Sequence, residues 1–112
     1  MIIFAASDGL TAFQKAQELR PDLVLMDIGL PKLNGIESAR RILQSNPEVR
    51  ILFLTEESSS DFVDEAFNLG AGGYVIKRDA GRDLLMGIDA VVRGEKFVSR
   101  SLRVSAVPSD LA

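Results

Sequence analysis

The feature that most constrains this chain is an alternation of four short apolar runs with stretches of helical spacing. The runs are Ile2 to Ala6, Leu23 to Met26, Ile51 to Leu54 and Tyr74 to Ile76. They are built mostly of Ile, Val, Leu and Phe with little polar alternation, which is how strands covered on both faces read. Repeated strand–helix alternation calls for a parallel sheet with helices on both sides. At 112 residues, 46% of them apolar, the chain is the size of one domain and can fill a real core.

Local signals bound the helices. The first segment places Leu10, Phe13, Ala16 and Leu19 on one face, with Asp8 as N-cap and Pro21 as stop. The second carries Ile36, Ala39, Ile42 and Leu43 and ends at Asn46-Pro47. The third carries Phe62, Val63, Ala66 and Phe67, with Ser58 and Asp61 spaced as a capping box and Gly70 at the C′ position. The fourth carries Leu84, Leu85, Ile88, Val91 and Val92 and closes at Gly94. Residues 1–98 are expected to form the domain. Residues 99–112, Ser-rich and containing Pro108, are expected to be a linker or tail.

Composition narrows the chemistry. The chain has no cysteine and no histidine, which removes disulfides, thiolate metal sites and imidazole acid–base catalysis together. Thirteen Lys and Arg against sixteen Asp and Glu give a net charge of −3, so nothing marks a nucleic-acid or anionic-membrane surface. No apolar run approaches the roughly 20 residues that span a bilayer, and no basic flank marks a secretory signal. A cytoplasmic location is the expectation.

Three side chains then stand out by position. Asp27 follows the second apolar run, Thr55 the third and Lys77 the fourth. In an open α/β sheet those strand ends share one edge, and ligands bind in the crevice outside it. Each alone is an ordinary polar strand end. A carboxylate, a hydroxyl and an ammonium at one mouth suit phosphoryl transfer: the carboxylate attacks phosphorus, and the other two stabilise the transferred oxygens. An aspartate is already ionised near neutral pH, so no general base is needed.

The residues around Asp27 carry a resemblance. Asp22 to Pro31 followed by Asn34-Gly35 resembles the phosphoacceptor segment of response-regulator receiver domains, with Pro31 four and Gly35 eight residues after Asp27. Ile51 to Thr55 is similar to that family's hydroxyl-bearing strand, and Gly70 to Lys77 to the strand delivering its lysine. Pro31 also reads as a loop stiffener and Gly35 as a helix-entry residue. The resemblance implies a flavodoxin-like, doubly wound parallel sheet in a three-layer α/β/α arrangement. It implies a phosphoacceptor module of a two-component system rather than an enzyme, receiving a phosphoryl group from a sensor histidine kinase and switching an output domain or protein. Asp27 would be the acceptor, with Thr55 and Lys77 on phosphoryl oxygens. Mg²⁺ would sit on Asp27 and the Gly29 backbone carbonyl. Thr55 and Tyr74 would form the switch, although Tyr74 also reads as a partly exposed strand aromatic.

Departures from the family pattern set further expectations. The family has a strand ending in two acids, and a helix, before the strand read here at Ile2 to Ala6, so the fold is expected to be N-terminally incomplete and the Mg²⁺ site to lack its acidic pair. In the family that strand lies between the first two read here. Glu56 stands where the family tends to place a small residue and is expected to narrow access to Asp27 or repel phosphate. Lys77-Arg78-Asp79-Ala80 lacks the Lys-Pro pair of many receivers and looks like the subfamily with a C-terminal helix-turn-helix; no direct nucleic-acid binding is expected of this chain. A homodimer is compatible with the resemblance. The alternative is a pseudo-receiver, an interaction domain with this fold that takes no phosphoryl group.

Overall fold

The fold is given by a computed structural model, which describes residues 2–6, 8–28, 33–56 and 59–102. Its elements alternate as the sequence predicts: β1 (Ile3–Ala6), α1 (Gly9–Leu19), β2 (Leu23–Ile28), α2 (Leu33–Ser45), β3 (Arg50–Thr55), α3 (Ser60–Asn68), β4 (Gly73–Ile76), a 3₁₀ turn (Lys77–Asp79), α4 (Ala80–Val92) and β5 (Phe97–Val98). The five strands form one parallel sheet in chain order. This is the flavodoxin-like α/β architecture expected from the sequence.

Strand alternation feeds two cores. Val24, Met26, Ile51, Phe53, Tyr74 and Ile76 point to one side, where Ala12 and Ala16 of α1, Ile36, Ala39 and Ile42 of α2 and Ala66 of α3 cover them. Leu23, Leu52 and Val75 point to the other, where α4 is the one helix among the described residues and packs Ala90 and Val91 on them together with Phe97. Since every strand pairs with its successor in the same sense, the crossover through α4 has the opposite hand to the first three. Such crossovers are rare, and the strand this one delivers has only two residues.

Several local expectations are met. Asp8 caps α1, its Oδ1 accepting the Thr11 N–H at 2.8 Å. Gly70 and Gly94 close α3 and α4 in the left-handed region at φ +114° and +88°. Others are corrected. The cap of α3 is Ser59, which accepts the Phe62 N–H; Ser58 lies outside the described residues. Leu10, Leu19 and Leu85 do not face the core but are exposed, because the faces that meet the sheet are set by Ala12 and Ala16 in α1 and by Asp83, Gly87, Ala90 and Val91 in α4. Phe97–Val98, outside the four apolar runs of the sequence, pairs with β4, Gly73 opposite Phe97 and Tyr74 opposite Val98. Of the expected tail, residues 103–112 lie outside the described residues.

The strand that the resemblance puts between the first two is replaced here by direct pairing, with Ile3 opposite Leu23 and Ala6 opposite Met26. Phe4 and Ala6 reach the α1 side, while Ile3 and Ala5 on the α4 side are exposed. A single helix cannot cover the whole of that face.

Gly73 shows how closely α4 and β3 approach β4. A Cβ there would stand 2.5 Å from Leu52 Cδ1, 2.9 Å from Val91 Cγ2 and 3.3 Å from the Phe97 carbonyl oxygen. Gly73→Ala is therefore expected to destabilise by about 1–3 kcal/mol, the usual cost of overpacking. Urea unfolding measures it, and an unchanged midpoint would show that β4 and α4 can separate freely.

Candidate functional site

Parallel register assembles the site. Asp27 lies opposite Leu54, Ile28 opposite Thr55, and Thr55 opposite Ile76, the residue before Lys77. The three residues singled out by sequence therefore share the C-terminal edge of neighbouring strands β2, β3 and β4. Thr55 is buried at 2% exposure. The Asp27 and Lys77 side chains are partly open, and Lys77 Nζ lies 2.8 Å from Asp27 Oδ1. That oxygen is shielded from solvent and meets no other donor among the described residues, so the carboxyl's exposure falls on the rest of the group.

Electrostatics hold the lysine charged. The hydrogen bond to Asp27 raises the Lys77 ammonium above its ordinary pKa; burial works against this, and the charges of Asp27 and Glu56 add to it. Exposed Glu56, expected to influence access, thus acts on the lysine of the same mouth. The Lys77 charge is complete at neutral pH and titrates away only above the usual lysine range.

Tyr74 is not the partly exposed aromatic that was one reading of the sequence. It is fully buried, 6.1 Å from both the Phe53 and Phe62 rings. Phe53 is its register partner on β3, two residues before Thr55, so Tyr74 and Thr55 share a packed strand pair.

The residues proposed for Mg²⁺ fare less well. Gly29 lies outside the described residues, as does Pro31. Asp8, at the same sheet edge, is engaged in capping α1, and its Thr11 N–H bond holds its carboxyl below the usual range. Among the described residues no three potential ligands gather. Mg²⁺ demands near-octahedral oxygen coordination, and among the described residues Asp27, paired with Lys77, and Asp8, capping α1, do not fit it.

Two further features lie outside this edge. A cavity of about 540 Å³ includes Asp22, Arg50, Gly72 and Lys96 in its lining, but its cations are used internally: Arg50 Nη1 donates to the Val91 and Val92 carbonyls and Lys96 to that of Ala71. The sequence also gave no warning of the carboxylates Asp79 and Asp83, which meet Ser99, Arg100 and Ser101. Their spacing of four could have suggested a shared face, but Asp83 precedes Leu84-Leu85 and reads as the polar start of an apolar run.

Comparisons agree with this geometry. The family described as "Response regulator receiver domain" matches residues 1–89. The oxygen regulatory protein NreC of Staphylococcus aureus is 35% identical over 107 residues, which is 95% of this chain and 49% of NreC. The chain thus spans about half the length of that relative. A two-component response regulator of the LuxR family from Aurantimonas sp. SI85-9A1 is 34% identical, with a TM-score of 0.84 over 96% of this chain and 76% of that one. The isolated REC domain of RcsB from Salmonella enterica serovar Typhimurium, at 24% identity over 86% of this chain and 71% of that one and a TM-score of 0.72, shows a likeness of fold. No helix among the described residues is long and apolar enough to cross a membrane. With its strand order, its Asp–Thr–Lys edge and these matches, the chain belongs to the response regulator receiver domain family.

Proposed function

We propose that Asp27 is the phosphoryl acceptor, with Thr55 and Lys77 receiving the transferred group. The observation that carries this reading is the 2.8 Å pair between Lys77 Nζ and Asp27 Oδ1, joined across β3 from separate strands. An oxygen of Asp27 attacks phosphorus of a kinase phosphohistidine as the P–N bond breaks. The electron pair leaves on the imidazole nitrogen, which takes up a proton. Lys77 then moves from the carboxylate to a phosphoryl oxygen, a charge-assisted contact of the strong kind. Buried Thr55 and Tyr74 carry the change through the β3–β4 pair to an output surface. Family membership supports a sensor histidine kinase as donor, an output domain or protein as receiver and a cytoplasmic setting; an assisting Mg²⁺ would need ligands beyond the carboxylates described above. The domain is taken to end at residue 98, with 99–112 leading out of it.

A second reading is favoured by Glu56. An acid acting on Lys77 competes with a phosphoryl group for the same ammonium, as a pseudo-receiver would tolerate. Incubation with acetyl phosphate and Mg²⁺, followed by peptide mapping, separates the two. Label confined to Asp27 is the expected result. Label on Asp22 or Asp61 would overturn the assignment, and a chain that takes no label is a pseudo-receiver.

A further inference from the structure

We infer that Asp79 and Asp83 are positioning residues that pass the state of the Asp27–Lys77 pair to the segment leaving the domain, an inference that rests on Asp27 being the acceptor. The 3₁₀ turn is one turn long, and it carries Lys77 at one end and Asp79 at the other. Asp79 Oδ2 accepts the Ser99 hydroxyl and the Ser101 N–H at 3.1 Å, and Oδ1 accepts the Ser101 hydroxyl at 3.0 Å. Asp83, fully buried, accepts the Arg100 N–H at 2.8 Å through Oδ2. The Ser99 N–H donates to the Tyr74 carbonyl at 2.9 Å. Ser99 is itself fully buried, and a helical turn starts at Arg100. Two carboxylates one helical turn apart therefore hold the opening amides of that turn, which have no acceptor within it.

The geometry also gives the relay a direction. Both oxygens of Asp79 are engaged by donors from residues 99 and 101, whereas Asp83 Oδ1 is buried with no hydrogen-bond partner among the described residues. In the docked arrangement Asp79 therefore carries most of the bonds to the segment. When Lys77 leaves Asp27 for a phosphoryl oxygen, it draws on a turn too short to absorb the shift, and the bonds between Asp79 and residues 99 and 101 are the ones displaced. Phosphorylation thus loosens this segment. Leu102 packs against the larger core and the Ser99 N–H holds to the Tyr74 carbonyl, so the loosening is expected at the Arg100 and Ser101 amides that the two carboxylates hold.

Amide hydrogen exchange on the full chain, before and after acetyl phosphate treatment, tests the relay, with peptide mapping reporting occupancy of Asp27. Exchange at Arg100 and Ser101 should quicken about tenfold on phosphorylation, the scale set by one hydrogen bond. In Asp83→Asn those amides should exchange fast in both states while Asp27 still labels; loss of a merely structural contact would leave the phosphorylation-dependent difference in place. Ser101→Ala, which removes one donor to Asp79 and keeps the backbone, repeats the test should Asp83→Asn fail to fold. Labelled Asp27 with unchanged exchange would overturn the relay and leave the acceptor assignment standing. Absence of label on Asp27 would overturn both.

Discussion

Lys77→Ala is expected to slow phosphoryl uptake at Asp27 by roughly 100-fold, the scale seen when one preorganised electrostatic donor is removed from a transition state. Its ammonium is 2.8 Å from Asp27 Oδ1 and held charged by that contact. The charge that develops on phosphoryl oxygens during transfer would meet it without reorganisation. The fold should survive, because the side chain is about a third exposed and adds nothing to either core. Rates of labelling by acetyl phosphate, read beside a thermal melt, decide the matter. An unfolded variant would make Lys77 a structural ion-pair residue, and an unchanged rate would remove it from the chemistry. Lys77→Arg offers a useful contrast: it keeps the charge but spreads it over a planar fork, so an intermediate rate is expected.

The sequence made this edge legible for a simple reason. An apolar run that ends in a polar residue marks both the strand and its exit, so the sequence alone places Asp27, Thr55 and Lys77. What it could not reveal was pairing. The run from Ile2 to Ala6 reads as a buried strand wherever it lies, and the direct contact of β1 with β2 leaves Ile3 and Ala5 exposed on the α4 side, a result of sheet order rather than of residue type. In α4 the apolar pattern misleads because burial follows close approach. Gly87 admits the Phe97 ring, to which a Cβ would stand 3.0 Å. That face brings Asp83 inside and leaves Leu85 79% exposed. A two-residue strand such as β5 has too few side chains to show any period, and its position depends on backbone bonds to distant residues, the Phe97 N–H donating to the Gly72 carbonyl and the Ser99 N–H to that of Tyr74.

Tyr74→Ala is expected to cost about 3–5 kcal/mol, the range for deleting a large buried aromatic side chain. A domain of this kind has a total stability of about 5–15 kcal/mol, so the variant should sit near the edge of folding. Three features put it at the upper end. The ring is completely buried at the centre of the larger core. It meets Phe53 tilted at 47° and Phe62 edge-on at 69°, both with centroids 6.1 Å away, and such pairs add about 0.5–1.5 kcal/mol beyond burial. It also belongs to β4, whose neighbours on both sides are strands, so a cavity there cannot collapse by moving one edge. Tyr74→Phe keeps the ring and should lose no more than about 1.5 kcal/mol, the upper scale of a hydrogen bond. Urea denaturation of the pair measures both, provided the slopes agree. Should Tyr74→Ala unfold at nearly the wild-type urea concentration, the ring would not be the packed link between Phe53 and α3, and its role in carrying a signal from Thr55 would fall with it. If Tyr74→Phe keeps its stability and still labels on Asp27 but no longer changes exchange at Arg100 and Ser101, the hydroxyl takes part in the switch and the ring supplies the packing.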